Sequence, residues 1–123
     1  MSKKPAADKV RSRVATIVER LPEAKAVRTG EHMSLEVRQR RFGWFLADHH
    51  GDGRLSISCK APPLLAGQLQ QLVPTQFHLP KYVANKGWIG LYLDVPKIDW
   101  AQVEICLVEA YRMAAPKTLA AKL

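Results

Sequence analysis

The stretch RFGWFLADHHGDGRLSISCK, residues 41–60, decides the fold. Its last seven residues alternate. Leu55, Ile57 and Cys59 fall on one side and Ser56, Ser58 and Lys60 on the other, the period of a half-buried strand. Its first eight place Phe42, Trp44 and Leu46 on one side and Phe45 and Ala47 on the other. Apolar residues on both sides mark a strand inside a sheet rather than at its edge. Between them stands HHGDG, where Gly51 and Gly53 can take a positive φ beside Asp52. Two strands joined by so short a turn must run antiparallel.

Reading toward the N-terminus, AKAVRT (24–29) and SLEVRQ (34–39) are two more short strands around a turn at Gly30. Before them the period changes. Val10, Val14, Ile17 and Leu21, with Val18 beside them, repeat at helical spacing, while Lys9, Arg13, Glu19 and Arg20 face elsewhere. The spacing predicts an amphipathic helix over 6–21, stopped by Leu21-Pro22.

Toward the C-terminus, APPLLAGQLQQLVP predicts a short helix with Pro62 and Pro63 in its first turn and Leu64, Leu65, Leu69 and Leu72 buried. A connection follows, with a short edge strand near Phe77. WIGLYLD (88–94) reads as a strand with Ile89, Leu91 and Leu93 on one face and Trp88, Gly90 and Tyr92 on the other. Gly87 allows a tight turn into it. Asp99 is a good N-cap for the last helix, with Gln102 at the capping-box position. The apolar face of that helix is Trp100, Val103, Cys106, Leu107, Ala110, Tyr111 and Ala114. Pro116 interrupts it before a final turn. The expected architecture is α+β: an antiparallel sheet with helices packed on one face, in the order α-β(3-4)-α-β(1-2)-α, as a single domain over 1–123.

Composition narrows the function classes. A chain of 123 residues, 47% hydrophobic and 24% charged, reads as a globular domain with a core of its own. It has neither an apolar run long enough to span a membrane nor an apolar block behind its first lysines, so a cytoplasmic protein is expected. Cys59 and Cys106 lie in apolar contexts and read as buried thiols of a reducing compartment. The formal charge is +8, and residues 1–60 hold most of it, with 13 Lys+Arg against 7 Asp+Glu, a net +6. Such an excess concentrates polyanions near the surface.

Several segments together resemble the MmcQ/YjbR family of small bacterial proteins. They are LPEAKA (21–26), FGWFLAD (42–48) followed by LSISCK (55–60), PKYVANKGWIGLYLD (80–94) and AYRMAAPKTLAAKL (110–123). The third is the most specific, with a Tyr, an Asn-Lys pair and a Trp opening a strand that ends in Asp. The resemblance implies an α-β(3)-α-β(2)-α fold similar to secretion-chaperone-like and CyaY-like architectures. It also implies DNA contact of a double-wing type, in which β-hairpins present basic residues.

The residues expected to carry that contact are Arg38, Arg40, Arg41, Arg54, Lys60, Lys81, Asn85 and Lys86. Arginine and lysine suit phosphates, and a nearby aromatic ring can stack on an exposed base. No helix reads as a sequence-reading element, so binding is expected to be led by the phosphate backbone and to be sensitive to salt. A second class is a protein- or peptide-interaction module using the open sheet face, for instance at Trp88, Gly90 and Tyr92. Its partner is not legible, and a monomer is mildly favoured.

Metal and enzyme readings are weaker. His49, His50 and Asp52 share a turn, and His32 and His78 lie elsewhere, which does not make up the three or four ligands of a structural site. There is no Gly-rich phosphate loop, no Gly-x-Ser-x-Gly elbow and no His-Glu-x-x-His. Asp94 reads as the close of a strand, Asp99 as a helix cap, and Cys59 as too buried to act as a nucleophile. No catalytic residue and no cofactor are expected.

Overall fold

The computed structural model describes residues 6–48, 51–80 and 86–123. Its order is α1 (Ala7–Glu19), β1 (Ala24–Thr29), β2 (His32–Val37), β3 (Arg40–Ala47), β4 (Leu55–Cys59), α2 (Leu65–Leu72), β5 (Phe77–His78), β6 (Ile89–Tyr92), α3 (Trp100–Ala114) and α4 (Lys117–Ala120). The strands form one antiparallel sheet in the order β1-β2-β3-β4-β6-β5. This is the α+β architecture expected, with four strands before α2 and a one-turn α4 after Pro116.

The helical stripe of α1 is buried as its spacing requires: Val10, Val14, Ile17, Val18 and Leu21 lie against the sheet. α3 buries Val103, Leu107, Ala110, Tyr111 and Ala114 on the same face. The Tyr111 ring meets Phe42 edge-on at 5.9 Å, and its hydroxyl donates to the Pro22 carbonyl at 2.7 Å. Asp99 caps α3 by accepting from the Gln102 amide at 3.1 Å. The Gln102 side chain does not reach back to close a capping box; it accepts a hydrogen bond from Gln76 instead.

Two further sequence expectations fail for identifiable reasons. β2 and β3 pair as Leu35↔Gly43 and Glu36↔Arg41, so Phe42 is an extra residue in a β-bulge. The period of two slips by one there. Phe42 turns to the helices and is fully buried, instead of sharing a side with Trp44. The second failure is the α2 stripe. Leu64 and Leu72 are 79% and 76% exposed, Leu65 and Leu69 only half-buried, and Ala66 is the residue that packs. α2 lies beside β5 and β6 at the end of the sheet order, and an edge position gives a leucine stripe little to cover it.

Two hairpins have two-residue loops. Gly30 takes φ +62° at the β1–β2 turn. The β2–β3 turn has both central residues left-handed, Arg38 at +46° and Gln39 at +66°, where Asn-Gly is the favoured pair.

Candidate nucleic-acid interface

Helices cover one face of the sheet. The register sets what stands on the other. Lys25↔Glu36, Ser34↔Trp44↔Ser58↔Gly90↔His78 and Leu46↔Ser56↔Tyr92 are cross-strand rows on that open face. Trp44 and Tyr92 are half-buried there. Each carries a guanidinium: Arg41 lies 4.3 Å from the Trp44 ring centre and Arg54 lies 3.7 Å from that of Tyr92. The His78 ring stacks on Tyr92 at 4.4 Å. It does so over Gly90, where a Cβ would run into the imidazole.

The eight residues expected at a nucleic-acid contact do not form one patch. Arg40, Arg41, Lys60 and Lys86 gather at one end of the sheet. Arg40 and Arg41 open β3, Lys60 follows β4 with its amide bonded to the Phe42 carbonyl at 3.0 Å, and Lys86 precedes Gly87, which approaches the Ala61 carbonyl. None of these four makes a salt bridge among the described residues. Arg41 donates to the Ser34 hydroxyl at 2.8 Å, and Ser34 donates in turn to Glu36 at 2.6 Å.

Arg38 and Arg54 are placed otherwise. Arg38 is at the same end but forks onto Glu23, at 3.0 and 2.9 Å. That contact draws the Glu23 carboxyl below its ordinary range and raises the guanidinium. Arg54 is at the opposite end of β4, six residues and roughly 20 Å from Lys60 at strand rise. It grips Asp94 through Nε at 2.7 Å and Nη2 at 2.9 Å, and that contact raises its pKa. Asp94, expected to close a strand, is a buried anion that also accepts from the Leu55 amide at 3.1 Å. Lys81 and Asn85 lie outside the described residues.

Other features of the chain separate from this end. Trp88 is buried. Arg11, which carries no signal of burial in the sequence, is 3% exposed and pairs with Asp8 at 2.6 Å and Glu31 at 2.7 Å, tying α1 to the β1–β2 turn. Lys9, Arg13 and Arg20 line a groove of about 910 Å³ between α1 and α3, with Arg13 over Trp100, but Asp8 and Glu104 share it. Burial pushes the Cys106 thiol up to about 11 and the Cys59 thiol further still. Among the described residues no three His, Cys, Asp or Glu side chains come together as metal ligands, and His49 and His50 lie outside them. No described helix is long and apolar enough to cross a membrane.

The fold has a solved counterpart. The chain is similar to the Deinococcus radiodurans protein DR2400, which carries a DUF419 domain, with a TM-score of 0.67 and 18% identity over 99% of this chain and 89% of that one. At this identity the likeness extends to the fold. No family model matches the chain, and no curated protein matches it.

Two signals in the sequence pointed toward the open-face row. The alternation of RLSISCK put Ser56 and Ser58 outward, and WIGLYLD set Gly90 and Tyr92 together. The position of His78 over Gly90 had no sequence signal, because it depends on β5 pairing with β6.

Proposed function

We propose that this chain is a cytoplasmic, non-enzymatic DNA-binding protein of the MmcQ/YjbR type, contacting phosphates through one end of its sheet. The observation that carries the reading is the convergence of Arg40, Arg41, Lys60 and Lys86 there, with no carboxylate bonded to any of them among the described residues. The +8 charge and the likeness in fold to a DUF419 domain support it. Arg54 and Arg38 have no share in it, since their charges are met by Asp94 and Glu23. The helix-side groove also holds three cations without a salt bridge among the described residues, with Asp8 and Glu104 beside them, as Glu36 stands opposite Arg41 at the sheet end, so paired variants at the two places are the test that separates them.

Four phosphate contacts imply a slope of log affinity against log salt of about −3.6 on duplex DNA, so affinity falls roughly 100-fold from 50 to 200 mM salt. Fluorescence anisotropy with a labelled duplex measures this directly. Arg40→Glu with Lys60→Glu should remove most binding at 50 mM salt, while Lys9→Glu with Arg13→Glu should not. Absence of duplex binding at 50 mM salt, or equal loss from both double variants, would refute the assignment.

A further inference from the structure

We propose that the open sheet face beside the cationic end receives an unstacked base of single-stranded DNA, seated against Trp44 with its edge hydrogen-bonded to Ser58 and His78. This rests on the phosphate contact above and extends it to a specific ligand group. Two atoms make the case. Ser58 Oγ and His78 Nε2 are buried and have no hydrogen-bond partner among the described residues. Ser58 is 1% exposed overall. Buried polar groups in folded proteins are nearly always bonded, and each orphan costs roughly 1–3 kcal/mol.

The two orphans are neighbours. Ser58 is the direct cross-strand partner of both Trp44 and Gly90, and the His78 ring lies over Gly90. Trp44, Ser58 and the imidazole therefore form one continuous row of an aromatic surface and two hydrogen-bonding atoms. A base offers the complement: a flat π-face for stacking and an edge of alternating donors and acceptors. Ser58 Oγ can donate or accept. Burial first, and the nearby Arg54 guanidinium second, lower the His78 pKa against a smaller opposing pull from Asp52, which favours the neutral imidazole. A neutral imidazole nitrogen can likewise serve as donor or acceptor, according to tautomer.

The row also joins the phosphate site. Arg41 belongs to both, as one of the four cations and as the guanidinium stacked on Trp44. A strand whose phosphates lie on Arg40, Lys60 and Lys86 would bring a base to Trp44 without crossing the sheet. Base access requires a side chain to turn aside, and His78 stands on a two-residue edge strand, the element with the fewest ladder bonds. A duplex, whose base faces are stacked and whose Watson–Crick edges are paired, cannot supply the complement.

The test compares a labelled 12-nucleotide single strand with a duplex of the same sequence, by anisotropy at 50 and 200 mM salt. The single strand should bind tighter than the duplex. Trp44→Leu should weaken single-strand binding about 10-fold, within the range for loss of one stacked base, and weaken duplex binding far less, since there it removes only the ring beside Arg41. Ser58→Ala should do the same to a smaller degree. A second measurement needs no altered fold: in histidine ¹H–¹⁵N spectra of the unmodified protein, the His78 Nε2 signal should shift on adding the single strand and stay fixed with the duplex. Duplex binding that matches single-strand binding, together with an unmoved His78 signal, overturns the base site alone and leaves the phosphate contact standing. Failure of both DNAs to bind overturns both.

Discussion

Asp94→Ala is the perturbation whose cost the structure defines best. The carboxylate is 3% exposed at its side chain and accepts two charge-assisted bonds from Arg54 and one from the Leu55 amide at the start of β4. Removing it strands the Leu55 N–H, worth roughly 1–3 kcal/mol, and leaves the guanidinium without its counter-charge. Breaking a fully buried pair costs about 3–5 kcal/mol. Arg54 is 35% exposed and can recover some hydration, so the lower end applies. The expected loss is about 3 kcal/mol, which for a chain of this length lowers Tm by roughly 10–15 °C. Arg54→Ala should cost as much or more, because it takes two charge-assisted bonds from a buried carboxylate. The double variant should cost much less than the sum of the two, with a coupling of about 2 kcal/mol. Urea unfolding followed by tryptophan fluorescence reads all three. A loss below 1 kcal/mol for Asp94→Ala, or additive single losses, would refute the view that this pair is an interdependent buried unit. Duplex DNA affinity of Arg54→Ala, measured on protein still folded at low temperature, should match that of the unaltered chain.

Three further outcomes follow from local geometry. Gln39→Gly should stabilise the protein by about 1 kcal/mol, since it relieves a left-handed non-glycine residue in the β2–β3 turn; a thermal melt that falls or stays level would count against strain there. Gly43→Ala should destabilise by about 1–3 kcal/mol, because its Cβ would stand 3.0 Å from the Ser58 carbonyl oxygen and 3.1 Å from Cys59 Cβ, neither able to yield cheaply; denaturant midpoints check this. His78 has a folded pKa below its unfolded one, through burial first and the Arg54 charge second. The unfolded chain therefore binds the proton more readily, and this part of the stability is lost as pH falls below the ordinary histidine range near 6.5. Comparing melts at pH 5 and 7 for the unaltered chain and for His78→Gln should show a smaller pH dependence in the variant.

Periodic signals carried most of the architecture. The valine stripe of α1, the Leu-Ser-Ile-Ser-Cys alternation of β4, and the Asp99 cap each depend on residues close in sequence, where spacing maps directly onto a face or an end. Contacts between distant segments were illegible. Arg54 reads as a free surface cation until β4 and the end of β6 are brought together, 40 residues apart. Arg38 reads the same way until Glu23 is placed beside it. The leucines of α2 mislead because a stripe states which side is apolar without stating whether anything lies against it.

The extra residue at Phe42 bears on evolution as well as on packing. Arg41 and Trp44 are separated by an odd number of positions, and in an unbroken strand they would point to opposite sides. One inserted residue reverses that parity and lets a cation and an indole keep company in the solvent. A descendant that lost the insertion would have to force a charged group toward the helices or surrender its pairing with β2.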